Sequence, residues 1–307
     1  MKKFIFFFIF FVSILISCQK ELEITYPGID SKLVVNCLFT PDTIFKVRIG
    51  KLLSVNDSIS SFIIENADCR ITENGTFTEK LHYTENGFYV STLLKPKTGN
   101  IYSIIVKHPD FETVTATDTI PQQISASNVY TIYNVLYDPL NESYFHTINI
   151  RFKDNVLLRN FYELKLTVRE SYDTDTFITP LLLNKTNDLT LLNTGLIEYE
   201  PASIPFSDKL FNGQNYLLST YYTLPFQSTD GNGTVTYHTH DLIVQFNSVS
   251  YQYFQYSRKM IMHLRNQNSD IFEGIGDPVQ MYSNINNGYG IFASYVPYSD
   301  TLHHEKY

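Results

Sequence analysis

Residues 32–39 read Lys32-Leu33-Val34-Val35-Asn36-Cys37-Leu38-Phe39, and a Thr-Pro-Asp-Thr turn follows at 40–43. Successive side chains of a β-strand point to opposite faces of the sheet. The run therefore predicts a strand with an inward row of apolar side chains: Leu33, Val35, Cys37 and Phe39. Because Pro and Asp are turn residues, we expect this strand to end before Pro41.

The next eighty residues continue the pattern of short strands separated by turns. Further strands are predicted at Phe45–Ile49, Asp68–Thr72, Phe88–Thr92, Tyr102–Lys107 and Thr113–Asp118. Asn74-Gly75 and Asn86-Gly87 are strong hairpin signals, because both central residues of such a turn adopt positive φ. This spacing predicts an immunoglobulin-like or transthyretin-like β-sandwich over residues 31–122.

A second β-rich domain is predicted over residues 123–307. Its strands are expected at Thr147–Phe152, Tyr162–Val168, Tyr216–Thr223, Val235–His238 and Leu242–Ser248. One helix is predicted near 250–266, capped by Ser250, and a final strand begins near Ile291 after a turn at 286–290. Residues 173–215 are poorly patterned and are expected to form long loops or a strand excursion. The fold class is therefore mainly β, with two tandem β-sandwich domains.

The N-terminus has the features of an exported lipoprotein. Two lysines precede an apolar run, Phe4–Ile16, which is too short to span a bilayer and is typical of a signal peptide. Leu15-Ile16-Ser17-Cys18 resembles the bacterial lipobox, so we expect residues 1–17 to be removed between Ser17 and Cys18. Lipid on Cys18, palmitate for example, would then anchor a tether of residues 18–30 to the membrane.

The residues after Cys18 bear on location. Gln19, Lys20 and Glu21 open a Lys-plus-acidic segment that resembles the surface-export tag of Bacteroidetes lipoproteins. This segment favours a protein that is lipid-anchored in the outer membrane and exposed on the cell surface. A charged, solvated tether is the alternative interpretation.

Composition argues against nucleic acid as a partner. The net charge is −8 and no basic stripe is present, whereas nucleic-acid affinity depends on Lys and Arg that neutralise phosphates. Aromatic residues make up 15% of the chain, with 23 Tyr and 23 Phe, which suits half-buried pleated surfaces.

Two cysteines remain after Cys18. Cys37 and Cys69 both occupy inward positions of predicted strands. Export would permit a disulfide between them. The alternative is that both are small buried hydrophobes. Two cysteines without a histidine at ligand spacing do not make a zinc site.

The search for catalytic or cofactor chemistry finds no strong motif. Nucleophile elbows, phosphate loops and dinucleotide fingerprints are absent from the sequence. His238 and His240 share one face of a predicted strand but lack a third ligand, His303-His304 falls in a tail that is expected to fray, and Glu198 and Glu200 suit a solvated strand face. We therefore expect no enzyme activity, no metal and no cofactor.

Tyrosines provide a better indication of binding, because they combine an apolar body with a polar tip. The chain has more tyrosines than a core requires, although aromatic-rich sandwiches also bury tyrosine. The candidates for a binding surface are Tyr130, Tyr133, Tyr137, Tyr144, Tyr221, Tyr222, Tyr251, Tyr253 and Tyr256.

Several phrases occur in a distinctive order along the chain: residues 32–36, 64–68, 87–89, 99–102, 277–285 and 288–292. Together they resemble the Bacteroidetes lipoproteins grouped as domain-of-unknown-function family 4249, from about residue 21 to 298. The resemblance provides no catalytic residue. It implies a cell-surface lipoprotein associated with TonB-dependent outer-membrane receptors, with an accessory binding role in nutrient uptake. A structural or adhesive envelope protein, and a hydrolase with an unrecognised site, are the alternatives.

Overall fold

The computed structural model describes residues 31–53, 58, 62–139, 143–156, 158–172, 175–224, 228–229, 235–236, 240–267 and 278–304. These residues lie within one compact unit, Ser31–Tyr307. The predicted signal peptide of residues 1–17, including Ser17, and the predicted site residues Cys18, Gln19, Lys20 and Glu21 lie outside the described residues.

Eight strands make up the N-terminal part of the fold, and the protein is mainly β, as predicted. They are β1 (Leu33–Phe39), β2 (Lys46–Lys51), β3 (Asp68–Glu73), β4 (Thr76–Lys80), β5 (His82–Tyr83), β6 (Phe88–Val90), β7 (Ile101–His108) and β8 (Phe111–Thr119). Two sheets result, one with the order β1-β2-β6-β5 and the other with the order β4-β3-β7-β8. The hairpin turns at Asn74-Gly75 and Asn86-Gly87 have positive φ at all four residues, as the sequence predicts.

One apolar core lies between these two sheets. Leu33, Val35, Cys37 and Phe39 are all buried, so the alternation of β1 was predicted correctly. The opposing sheet contributes Cys69, Tyr102 and Ile104 among others. The ring of Tyr102 lies 5.9 Å from that of Phe39 and 5.3 Å from that of Phe45. Interlocked aromatic rings therefore join the two sheets.

The remaining elements belong to the C-terminal part. The strands are β9 (Ala126–Asp138), β10 (Ser143–Lys153), β11 (Phe161–Tyr172), β12 (Asp175–Pro180), β13 (Ser203–Ser207), β14 (Asn215–Tyr222), β15 (Ser228–Thr229), β16 (Val235–Thr236), β17 (His240–Val249), β18 (Tyr289–Val296) and β19 (Ser299–His304). The helices are α1 (Leu189–Leu192) and α2 (Tyr251–Gln267), with 3-10 turns at Ile197–Tyr199 and Asp208–Leu210.

The last long strand does not belong where the sequence placed it. We predicted the final strand as part of the second domain, but β18 pairs in parallel with β1, with Val35 opposite Gly290 and Cys37 opposite Phe292. Phe292 joins the first core, where its ring lies 4.7 Å from that of Phe39. The end of β18 also pairs with β17 through Val249 and Tyr295. One ten-stranded sheet therefore runs through both parts of the chain.

A second core lies between this sheet and the three-stranded sheet β14-β10-β9. Alternate residues of β11 face it, namely Tyr162, Leu164, Leu166 and Val168. The opposing sheet contributes Ile148, Ile150 and Phe152 from β10. Ile120 belongs to the first core and Ile124 to the second. The chain therefore passes from one core to the other near the predicted boundary at 122/123.

Helix α2 packs against β11, β13 and β18. The predicted helix near 250–266 is confirmed, and Ser250 caps it by accepting the backbone N–H of Tyr253 at 3.2 Å. Beneath the helix, the buried carboxylate of Glu163 accepts hydrogen bonds from the hydroxyls of Ser203 at 3.0 Å and Tyr253 at 3.0 Å. The amide of Asn247 and the hydroxyl of Ser257 donate to the same carboxylate.

Candidate binding surface

The two cysteines are free, buried thiols in the structure rather than a disulfide. Both side chains point into the first core from opposing sheets, and burial raises the pKa of each thiol well above its usual range. Thiolate is the reactive form of cysteine, so neither side chain has the environment of a nucleophile. Cys37 and Cys69 therefore pack in the core as small buried hydrophobes, which is the alternative to a disulfide that the sequence left open.

Of the predicted pair His238 and His240, the structure describes only His240. His238 lies outside the described residues, and His240 is half-buried on β17. His303 was expected in a frayed tail, but it lies on β19, which pairs with β17, and its Nδ1 is 2.6 Å from Asp241. Arg169 donates to the same carboxylate and holds the pKa of Asp241 below its usual range. The arrangement is an ion-pair network on neighbouring strands.

Glu198 and Glu200 do not lie on a strand face, so that prediction was wrong. Glu198 is in the 3-10 turn and Glu200 caps it with a φ of 47°. Both are exposed and line a shallow recess of about 400 Å³ with Asn184 and Leu192. Backbone hydrogen bonds within the turn explain why alternation failed here.

The tyrosines divide between core and surface. Tyr222 is fully buried, whereas Tyr137, Tyr144 and Tyr251 are exposed. The others are half-buried: Tyr130, Tyr133, Tyr221, Tyr253 and Tyr256. The exposed pair Tyr137 and Tyr144 face each other across β9 and β10 with ring centroids 5.1 Å apart. This pair marks the surface with the clearest binding character.

Strand β9 was not predicted, and it forms the edge of its three-stranded sheet. It is 13 residues long, and four of its large apolar side chains are 40–50% exposed. We refer to these four and their cross-strand neighbour as the β9 patch: Ile132, Val135, Leu136, Tyr137 and Tyr144. Exposed apolar side chains on an edge strand are a typical protein interaction surface.

The β9 patch lies at the far end of the β9–β10 hairpin. Strand β14 pairs with β10 only from His146 onward, so Ser143, Tyr144 and Phe145 pair with β9 alone among the described strands. The end of the hairpin therefore extends beyond its neighbour. For this reason, side chains on both faces of β9 are exposed there.

A histidine fixes the shape of this hairpin end. The pairing shifts register between Phe145 and Thr147, and Asn134 opposite has a positive φ of 53°. The Nδ1 of His146 accepts the backbone N–H of Asn134 at 3.0 Å, which requires an unprotonated Nδ1. Burial, together with the neighbouring His240, lowers the pKa of His146 to about 4. A neutral imidazole thus holds the bulge that redirects β9.

Comparison with known protein families gives one match. A family model described as domain of unknown function (DUF4249) matches residues 19–301. The chain belongs to this family. The match to DUF4249 includes both cores, the β9 patch and the returning strand β18. No curated protein matched the chain.

Within the part of the chain that the structure describes, no helix is long and apolar enough to cross a membrane. The same described ranges contain no group of three or more His, Cys, Asp or Glu side chains that could hold a metal ion.

Sequence reasoning named Tyr137 and Tyr144 of the β9 patch but missed strand β9 and its aliphatic members Ile132, Val135 and Leu136, although the signal was present. Val129, Tyr130, Thr131, Ile132 and Tyr133 are all residues that favour strands. The bulge at Asn134 interrupts the period of two, so the alternation that revealed the other strands does not extend through β9.

Proposed function

We propose that this protein is a non-enzymatic, lipid-anchored lipoprotein of the outer membrane, exposed at the cell surface. In this role it binds a partner protein through the β9 patch. The observation that carries the proposal is the 13-residue edge strand with four exposed large apolar side chains. Leaving apolar side chains exposed to water costs free energy, and this free energy is recovered when a partner covers them.

The anchor is supported by the sequence around Cys18. The apolar run Phe4–Ile16, the lipobox-like Leu15–Cys18 and the charged residues that follow occur in the order that export and lipidation require. The family match begins at residue 19, directly after the proposed lipidated cysteine. Two or more acyl chains are sufficient for stable anchoring.

The partner we propose is a TonB-dependent outer-membrane receptor, with the lipoprotein as its accessory in nutrient uptake. A lipid anchor would hold both proteins in the same membrane, which raises their effective concentration for each other. The β9 edge offers backbone N–H and C=O groups together with apolar side chains, so a partner strand can add to the sheet.

The first experiment tests the partner. Full-length protein is extracted gently from outer membranes, and proteins that co-purify with it are compared among wild type, Leu136→Glu and Leu93→Glu. Leu93 is 88% exposed on the first sandwich, so its variant is a matched control for an exposed charge. We expect wild type and Leu93→Glu to retain a receptor that Leu136→Glu loses. A receptor retained equally by all three, or a solitary wild-type protein, would contradict the proposal.

The second experiment tests location. External protease is added to intact cells that carry wild type or a Cys18→Ala variant. We expect the wild-type protein to be digested and the variant to lose its association with the membrane. A wild-type protein that survives until the cells are lysed would place it in the periplasm and would replace receptor docking with an envelope-assembly role.

A further inference from the structure

A recess of about 350 Å³ lies between α2, the end of α1 and the turn after β13, and none of its lining residues belongs to the β9 patch. Its volume is at the lower end of the range for small-molecule sites, about 300–1,000 Å³. Segments that are distant in the chain meet there. Arg159 precedes β11, Lys209 lies in the 3-10 turn after β13, and Arg258 is on α2.

Three of the lining side chains are cationic and none is a carboxylate. The cations are Arg159, Lys209 and Arg258. On a chain of net charge −8, a concave wall with only positive charges is unexpected from composition. Clefts lined by one sign of charge concentrate ions of the opposite sign.

Two of these cations are held in position. Arg258 donates from Nη2 to the carbonyl of Thr194 at 3.1 Å, and its guanidinium lies 5.5 Å from the ring centre of Phe254. The guanidinium of Arg159 lies 5.4 Å from the ring centre of Phe161. Because a guanidinium has five N–H donors, Arg258 keeps donors for a ligand beyond its bond to Thr194.

Three buried carboxylates lie behind the wall: Asp208, Asp154, whose charge contributes to the raised pKa of Asp208, and Asp188, which accepts the backbone N–H of Thr190 at 2.8 Å. Asp208 accepts the backbone N–H of Asn160 at 2.6 Å. Burial raises the pKa of Asp208, and Arg159 acts against that rise. These three carboxylates accept hydrogen bonds from the backbone N–H groups of Asn160, Gly213 and Thr190, and none of them lines the recess. Glu163 lies beneath the helix with its own four donors and does not line the recess.

Neutral groups complete the wall. Ser207 supplies a hydroxyl, the hydroxyl of Thr190 is hydrogen-bonded to Tyr216, and Tyr251 is 47% exposed. The Tyr251 ring packs at 5.4 Å against Phe161, which fixes its orientation. An exposed, oriented tyrosine ring offers an apolar surface with a polar tip to the body of a ligand.

We infer that this recess binds a small organic anion. Its carboxylate, phosphate or sulfate group lies among Arg159, Lys209 and Arg258, and its organic body lies against the ring of Tyr251. The site is separate from the β9 patch and does not depend on receptor docking. The protein would therefore capture a charged small molecule directly, in addition to binding a protein partner.

The test is a binding titration with detergent-solubilised full-length protein. The probes are galacturonate, its neutral counterpart galactose, and inorganic phosphate. We expect saturable binding of galacturonate that weakens as salt rises, with galactose at least about tenfold weaker because it lacks the charged group. Tyr251→Ala should weaken galacturonate and leave phosphate unchanged, because only the ring depends on that contact.

Charge variants locate the site. Lys209→Gln and Arg258→Gln should each weaken galacturonate about tenfold, whereas Lys107→Gln, which removes an exposed charge on β7, should have no effect. Thermal unfolding of each variant confirms that it is folded. The inference is overturned if neither anion binds at millimolar concentration or if galactose binds as tightly as galacturonate. Equal effects of Lys107→Gln and Lys209→Gln would also overturn it, since they indicate general charge attraction.

Discussion

Ser294 in β18 donates two hydrogen bonds to the carboxylate of Asp118 in β8, from its hydroxyl at 2.8 Å and from its backbone N–H at 2.7 Å. Both residues are buried. Ser250, which caps α2, also donates to this carboxylate. Asp118 therefore joins the first sandwich, the returning strand and the start of the helix at one point.

Asp118→Asn is expected to change how stability depends on pH. Burial raises the pKa of Asp118 to about 6, above the usual value of about 3.9 for an unfolded chain. The folded state therefore takes up this proton more readily, and the stabilisation is complete below about pH 4 and is lost as pH rises through 6. Between these limits the wild type should lose up to about 3 kcal/mol relative to Asp118→Asn.

Urea unfolding of both proteins from pH 4 to 7 measures this difference. Glu112→Gln, an exposed change on the same strand, is the control and should follow the wild type. Parallel pH curves for wild type and Asp118→Asn would show that the carboxyl group titrates as an ordinary surface acid.

His146→Gln is expected to have the opposite effect. The pKa of His146 is about 4 in the folded protein, below the unfolded value of about 6.5. Its contribution is therefore present above about pH 6.5 and is lost progressively as pH falls through 4, by up to about 3 kcal/mol. Glutamine can still accept the N–H of Asn134 but cannot take up a proton.

The His146 and Asp118 effects overlap in pH and oppose each other, so the wild-type curve alone is uninformative. NMR titration of the His146 ring separates them. We expect its resonance to move only below about pH 5, and hydrogen exchange at Asn134 to accelerate with it. A midpoint near 6.5 would contradict a buried, neutral ring.

Gly290→Ala should disrupt the pairing of β18 with β1. Gly290 has a φ of 110°, and an added Cβ would overlap the carbonyl oxygen of Val35 on the paired strand. We expect a loss of about 3 kcal/mol or more in unfolding free energy. Gly75→Ala is the control, because Gly75 also has positive φ but has no atom near its would-be Cβ. The Gly75→Ala variant should lose about 1 kcal/mol of unfolding free energy. Equal losses in the two variants would show that the positive φ, and not the clash with Val35, causes the destabilisation.

Glu163→Leu should be strongly destabilising. The change leaves the buried donors of Ser203, Asn247, Tyr253 and Ser257 without their acceptor. Since an unsatisfied buried polar group costs about 1–3 kcal/mol, we expect a loss of at least about 3 kcal/mol. Glu163→Gln should lose less, because hydroxyl donors can rotate to accept from the amide. Chemical denaturation distinguishes the two, and a leucine variant as stable as the glutamine variant would contradict the role of this carboxylate.

The sequence predicted the first sandwich closely because its strands are amphipathic and its turns carry Asn-Gly. The observed β1 begins one residue after the predicted start, and β8 extends its prediction by one or two residues at each end. The helix α2 was found from Ser250 and its apolar spacing for the same reason. Local patterns determine these elements, so local reasoning finds them.

Other elements depend on partners that are distant in the chain. Strand β13 contains Pro205 and lies in the segment 173–215, for which the sequence left long loops and a strand excursion open; it pairs with β11 as an edge strand, where a missing N–H is tolerated. The cations of the recess come from three separate segments, at 159, 209 and 258. No spacing in the sequence relates them, because only the fold brings them together.

The parallel pairing of β1 with β18 has a consequence for biosynthesis. The chain is synthesised from its N-terminus, but the edge of β1 is closed only by residues 289–296. Until they emerge, β1 presents an open edge on which another chain can add. A stop codon just before Tyr289 would remove few residues, yet it would leave β1, the first strand to be synthesised, without its parallel partner β18. In this protein a late truncation therefore damages the beginning of the chain.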